Sequence, residues 1–197
     1  AFRLWTNRVR YPSAKSFIEG ELWLVHKHER LPLTMREAQR RLEAIYEERI
    51  ASDGGLRLVV LKARREGVST WTQAHLFEAC ARIPHVEAMT VAHVNKASDV
   101  IFAMSRRFLR NLKFKPRTRT HRRSEIGFGD PLHSTMSFDS AENEDIGRAA
   151  AITMLHLSEV AIWPRPEEAF TSVSSTVPRM PGSMVVVEST ARGMGGF

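Results

Sequence analysis

The chain has 197 residues, 43% of them hydrophobic and 26% charged, with one cysteine and a net charge of +7. Those values exclude a mainly disordered chain, a disulfide scaffold and a cysteine-rich zinc module, and they fit one globular domain with a sizeable core. No window approaches the roughly 18 consecutive apolar residues of a membrane span. The opening residues, from Ala1 to Arg10, lack the apolar core of a signal peptide, so a soluble, cytosolic protein with no membrane partner is expected.

The first 30 residues have no clean period and read as an irregular arm, with Phe17, Leu22, Trp23 and Leu24 available to pack. Residues 1–33 are therefore set apart as a lead-in to a main domain over 34–197. Thr34-Met-Arg-Glu37 has capping-box spacing, and Met35, Ala38, Leu42, Ile45, Tyr46 and Ile50 follow at helical spacing, which predicts a helix over about 35–51. Ser52-Asp-Gly-Gly55 breaks it. Leu56 to Leu61 reads as a strand, Lys62 to Gly67 as a polar turn and Ser69 to Ala81 as a helix. Val86 to His93 is the next strand, and Ala97, Val100, Ile101, Met104, Phe108 and Leu112 mark another helix. A basic loop with Pro116 leads to two short strand-like runs near 124–128 and 134–138. Ile152 to Leu157 reads as a buried strand, Glu167 to Ser175 as a helix and Met184 to Val187 as the last strand. Strands alternating with helices imply an α/β fold, a mainly parallel sheet flanked by helices. Chemistry in such sheets gathers at the carboxyl ends of the strands. The segments just after Leu61, His93, Leu157 and Val187 are therefore the places to look.

Charge is concentrated in one stretch. Between Ser105 and Arg123 lie nine basic residues and no acidic one: Arg106, Arg107, Arg110, Lys113, Lys115, Arg117, Arg119, Arg122 and Arg123. Without those nine the remainder of the chain is slightly acidic. Such a block attracts polyanions, nucleic acid foremost, although a solvated helix face and loop would carry the same composition.

After the first strand comes Lys62-Ala-Arg-Arg-Glu-Gly-Val-Ser69, which resembles the phosphate loop G-x-x-x-x-G-K-S/T with two departures. Lys62 stands at the first glycine and Val68 at the usual lysine, while Gly67 and Ser69 keep their places. Gly67 lets backbone N–H groups turn towards phosphates, and the start of the following helix favours an anion. Ser69, or its neighbour Thr70, can offer a hydroxyl to Mg²⁺. Lys62, Arg64 and Arg65 can supply positive charge. After the second apolar strand, Met154-Leu-His-Leu-Ser-Glu159 has the hydrophobic lead of an ATPase strand that ordinarily ends in Asp-Glu. Glu159 is present, but Ser158 replaces the aspartate that orders the Mg²⁺ shell. That predicts a weaker demand for Mg²⁺ at this point, or compensation by Glu188. After the last strand, Glu188-Ser-Thr190 offers hydroxyls to a γ-phosphate or to the catalytic glutamate. The eight histidines show no metal-ligand spacing, and His156, inside an apolar strand, suits a packed or partnered role.

The three segments together resemble the large terminase subunit of tailed double-stranded DNA phages, the ATP-driven motor that packs DNA into a capsid. The likeness rests on Lys62-Ala-Arg-Arg-Glu-Gly-Val-Ser-Thr70, on Leu155-His-Leu-Ser-Glu-Val-Ala-Ile-Trp163 and on Glu188-Ser-Thr-Ala-Arg-Gly193. Upstream, Ser16-Phe-Ile-Glu-Gly-Glu-Leu-Trp23 and Leu31-Pro-Leu-Thr-Met-Arg-Glu-Ala-Gln39 resemble it too. The resemblance implies a P-loop fold of the ASCE type, ATP and Mg²⁺ as cofactors, and double-stranded DNA as the substrate moved. It implies the portal protein and the small terminase subunit as partners, a homo-oligomeric ring, and action in the host-cell cytoplasm, transiently at the procapsid portal. It assigns Gln39 to adenine sensing, Lys62 to the displaced phosphate-loop lysine and Glu159 to catalysis. Ser189 and Thr190 become the coupling motif, and Arg148 a finger completing a neighbour's site. The family continues into a ribonuclease-H-like nuclease whose carboxylates do not occur before Phe197, so a fragment without nuclease activity is expected. Two other readings share these residues: a helicase-like ATPase, and a basic DNA-binding module whose nucleotide site is degenerate at Val68 and Ser158.

Overall fold

The computed structural model describes residues 9–119, 124–143, 146 and 151–191. Its elements run α1 (Ala14–Glu21), β1 (Trp23–His26), β2 (Glu29–Pro32), α2 (Glu37–Arg49), β3 (Leu56–Lys62), α3 (Val68–Arg82), β4 (Glu87–Ala92) and α4 (Asn95–Asn111). Then follow β5 (Glu125–Gly127), β6 (Thr135–Ser140), β7 (Met154–Ser158), a 3-10 turn over Val160–Ile162, α5 (Pro166–Ser174) and β8 (Met184–Thr190). A six-stranded sheet has the order β3-β8-β7-β4-β6-β5, parallel except for the short edge strand β5. The expected mainly parallel α/β fold is what the chain adopts. The last strand, β8, inserts between β3 and β7, so the two strands that lead into the candidate site are not neighbours.

The central strands β8, β7 and β4 are covered on both faces, which is why they are almost continuously apolar. Alternation sorts their side chains. Leu155, Leu157, Val185 and Val187 face one core with Val160, Trp163 and Val173. Met154, Met184 and Val186 face the other, with Trp71, Phe77 and Phe108. By the same period of two, His156, Ser158 and Glu188 share the second face, the one covered by α3. That helix is buried on nearly every side, because α1, α2 and α4 pack over it while its inner face lies on the sheet.

The amino-terminal stretch departs from the irregular arm expected. Ser13 and Ser16 exchange capping hydrogen bonds at the start of α1, each 3.1 Å. Phe17, Ile18 and Leu22 reach the main core. Helix α1 has only 8 residues, too few to display a period. The β1–β2 hairpin turns on Lys27 and His28, both with positive φ (48° and 68°). Such turns ordinarily carry Asn-Gly, so no turn signal marks this one. Helix α2 starts at Glu37, not after Thr34; Gln39, not Glu37, completes its first turn by accepting the Arg36 N–H at 2.9 Å. Among the other boundaries that differ, two shape the site: Lys62 ends strand β3 instead of opening the turn, and β8 runs on through Ser189 and Thr190.

Candidate active site

The carboxyl ends of β3, β8 and β7 bring together Lys62, Glu188, Thr190 and Ser158. The register pairs Lys62 with Thr190 and Ser158 with Glu188, so the four side chains share one face on three adjacent strands. Glu159, the next residue after β7, adopts a left-handed backbone (φ 56°, ψ 46°) and turns its carboxylate back over β8. An unbranched non-glycine residue held there carries strain of about 1–3 kcal/mol, a feature concentrated at functional sites.

Lys62 is the hub. Its Nζ donates to Glu159 Oε1 at 2.8 Å and lies 3.3 Å from Glu188 Oε2 and 3.5 Å from Thr190 Oγ1. Burial pulls the ammonium pKa down, but the two carboxylates outweigh it and the net shift is upward. Burial pushes Glu159 up, but hydrogen bonds from Lys62 and from the N–H and hydroxyl of Thr190 bring it below the usual carboxylate range. Both Thr190 contacts are 3.0 Å. The cation and the carboxylate therefore stabilise each other's charged forms.

Glu188 is fully buried. Burial alone would raise its pKa; hydrogen bonds from His156 and Ser69, with the positive charge of Lys62, hold it at about 2. Its Oε1 accepts from Ser69 Oγ at 2.5 Å, from Ser158 Oγ at 3.0 Å and from His156 Nε2 at 3.2 Å. Behind it, Gln73 Nε2 lies 2.8 Å from both His156 Nδ1 and Thr90 Oγ1, and Gln73 Oε1 accepts from the Ser105 hydroxyl at 3.1 Å. An amide NH₂ against Nδ1 leaves the Nε2 hydrogen of the ring pointing at Glu188. Sequence reasoning missed this chain beyond His156. Its available signal was a polar Gln73 on a helix that is otherwise suited to burial.

The phosphate-loop candidates sort cleanly. Gly67 has φ +80°, and a Cβ there would lie 2.7 Å from Gln39 Nε2. Gln39 itself is buried, and its Nε2 donates to Gly67 O at 2.9 Å. Both ends of the Gln39 amide are thus used within the loop and the start of α2. Val68 is buried as the first residue of α3 and offers the site its backbone, not a charge. Ser69 points to Glu188, Thr70 is half-buried in the same first turn, and Arg64 and Arg65 are exposed on the loop. Ser189 faces the opposite side and accepts the Ala161 N–H at 3.2 Å.

The remaining candidates lie elsewhere. Arg148, Arg122 and Arg123 fall outside the described residues. Arg106, Arg110, Lys113, Lys115, Arg117 and Arg119 are exposed, and Arg107 is half-buried. Helix α4 starts beside the carboxyl end of β4 and runs back across the sheet for 17 residues, about 25 Å at 1.5 Å per residue. The exposed basic residues therefore gather at the end of the sheet away from Lys62. Among the described residues, no group of three or more His, Cys, Asp and Glu is placed to enclose a metal, and no helix is long and apolar enough to cross a membrane.

No family model and no curated protein matches the chain. Solved structures do. The HK97 bacteriophage large terminase is similar over 91% of this chain and 37% of that one, with a TM-score of 0.70 and 12% identity. The large terminase ATPase domain of Thermus phage P74-26 is similar over 94% of this chain and 72% of that one, with a TM-score of 0.63 and 20% identity. The large terminase of another thermophilic bacteriophage, in complex with ADP, is similar over 78% of this chain and 38% of that one, with a TM-score of 0.57 and 12% identity. The chain has the fold of these ATPase domains and spans 37% of the HK97 protein's length.

Proposed function

We propose that this chain, sharing its fold with phage large-terminase ATPase domains, hydrolyses ATP to drive double-stranded DNA into a procapsid. The observation that carries the reading is the meeting of Lys62, Glu159 and Glu188 at the carboxyl ends of three adjacent strands, directly ahead of the α3 amino terminus. A cation, a phosphate-favouring helix start and two ionised carboxylates are the parts that phosphoryl transfer to water needs.

In this reading the loop from Lys62 to Thr70 cradles the phosphates through its backbone N–H groups, with Arg64 and Arg65 adding charge from the exposed side. Phosphate oxygens compete with Glu159 for Lys62 and loosen the 2.8 Å contact between them. Glu159 then accepts a proton from the attacking water, while Thr190 keeps it aimed. Ser69, Ser158 and Glu188 supply only oxygen donors, the chemistry Mg²⁺ prefers, and Glu188 Oε2 has no hydrogen-bond partner. Mg²⁺, when bound, neutralises charge that develops on the phosphates. Gln39 reads the position of the loop through Gly67, and its amide is the group that contacts adenine. Arg148 of a neighbouring copy in a ring completes the site.

Loss of the γ-phosphate changes the pull on Lys62, and through it on Glu159 and Thr190, with Ser189 anchored beside them. The exposed basic residues from Arg106 to Arg119, with Arg122 and Arg123, form the DNA-gripping surface. The portal protein and the small terminase subunit are the partners at the procapsid, in the host-cell cytoplasm. Binding of a fluorescent ATP analogue tests the nucleotide site directly. Wild-type chain is expected to bind it, and Lys62→Ala to weaken binding at least about ten-fold, the value of one lost charge-assisted contact. Equal binding by both would remove Lys62 from the site and the reading with it.

A further inference from the structure

Position 158 lacks a carboxylate, yet the space in front of it holds one. Ser158 and Glu188 are register partners on adjacent parallel strands, with side chains on the same face. Strand neighbours lie about 4.8 Å apart, within reach of a glutamate leaning sideways. The Glu188 carboxylate does so, accepting from the Ser158 hydroxyl at 3.0 Å and from the phosphate-loop Ser69 hydroxyl at 2.5 Å. Ser158 is small enough to leave the room that Glu188 fills, and an aspartate there would face a second buried carboxylate.

We propose that Glu188 orders the Mg²⁺ that accompanies the nucleotide, taking over from β8 the task that an aspartate on β7 would perform, and that His156, Gln73 and Ser105 position it. The geometry of this carboxylate suits a cation. All three hydrogen bonds converge on Oε1, leaving Oε2, on a fully buried side chain, without a hydrogen bond. That oxygen instead faces positive charge, the ion-paired Lys62 Nζ at 3.3 Å. A buried carboxylate oxygen left unpaired is costly unless a positive charge serves it. The chain behind Oε1 has the form of an outer support: Ser105 to Gln73, Gln73 to His156, His156 to Glu188, each link within 3.2 Å. Such supports fix the carboxylate's orientation, and losing one ordinarily weakens metal affinity by about 10–100-fold.

This inference rests on the nucleotide-site reading, and one titration separates them. Binding of a fluorescent ATP analogue is measured in EDTA and across a Mg²⁺ series, with folding checked by circular dichroism. Wild type is expected to bind more tightly as Mg²⁺ rises. Glu188→Gln is read against its own binding in EDTA, and its Mg²⁺ midpoint rises at least about ten-fold. Ser158→Asp/Glu188→Ser, which exchanges the two strands' roles, returns the midpoint to within ten-fold of wild type. An unchanged midpoint in a folded Glu188→Gln overturns the role of Glu188 and leaves the nucleotide site standing. Absence of binding by wild type at any Mg²⁺ concentration overturns the nucleotide site itself. Should Glu188→Gln fail to fold, Glu188→Ser beside the exchange variant decides: a midpoint raised at least about ten-fold in the single variant and restored in the exchange supports the proposal, and equal midpoints in the two overturn it.

Discussion

Thr190 holds Glu159 from two directions, donating its backbone N–H to Oε2 and its hydroxyl to Oε1, each at 3.0 Å. The residue that aims the carboxylate therefore sits on β8, a different strand from the one that delivers it. Any shift of β8 along β7 changes the aim of Glu159, and in the proposed function this is what would couple chemistry to movement. Thr190→Val removes the hydroxyl and keeps the backbone donor. It is expected to leave ATP binding within about two-fold and to lower kcat by about 10–100-fold, the effect of one hydrogen bond to a charged group. Steady-state hydrolysis over an ATP series separates the two parameters, and an unchanged kcat would show that the clamp is idle.

Gly67 is constrained twice, by its positive φ and by the Gln39 amide 2.7 Å from where a Cβ would stand. Gly67→Ala is expected to lose about 1–3 kcal/mol. For a chain of this size that lowers the melting temperature by several degrees. Gln39→Ala removes part of the obstruction, so the double variant should be less destabilised than the sum of the two single ones. Strict additivity in thermal melts would mean that the backbone strain acts alone.

The alternation of strands and helices was legible because its carriers are long and apolar: Leu56 to Leu61, Val86 to His93 and Met184 to Val187 admit few other readings. Lys62, Glu159 and Thr190 followed from the rule that strand ends carry the chemistry, and the structure brings those three together. Three things were not legible. The hairpin at Lys27 and His28 turns on residues that carry no turn signal. The order of the sheet, with β8 between β3 and β7, depends on long-range pairing that no local pattern encodes. The support of Glu188 by His156, Gln73 and Ser105 draws on three separate elements, and no local pattern links them.

The exposed basic residues offer a test in salt. Each phosphate contact on duplex DNA contributes about 0.9 to the slope of log affinity against log salt. Replacing Arg106, Arg110 and Lys113 together with alanine is expected to weaken binding to unrelated duplexes alike and to reduce that slope by about 2–3. Nucleotide binding should be unchanged, since these residues lie at the far end of α4 from the phosphate loop. An unaltered slope in a salt titration would place the DNA surface elsewhere.

Away from the site, Glu43 is buried where α2 meets α3, and its Oε2 accepts from Trp71 Nε1 at 2.8 Å and lies 2.7 Å from His75 Nε2. Burial raises its pKa, but His75 and Trp71 outweigh that and bring it below the ordinary value of 4.5. A carboxylate depressed in the folded chain adds stability that is complete above the unfolded value and lost as pH falls through the folded one. Glu43→Gln is therefore expected to be destabilised by about 1–3 kcal/mol at neutral pH. The difference from wild type should shrink below pH 4.5. Urea unfolding across that range measures it, and a constant difference would remove Glu43 from the acid response.

Glu159 carries the central claim. The most direct measurement is ATP turnover by this chain at high concentration with double-stranded DNA, beside Glu159→Gln, with nucleotide binding followed in both. The expected result is turnover by wild type that falls by about 10²–10⁴-fold in the variant, the range lost with a general base, while nucleotide binding persists. Equal turnover by the two proteins would contradict the assignment of Glu159 as the residue that activates water, and with it the catalytic reading of this site.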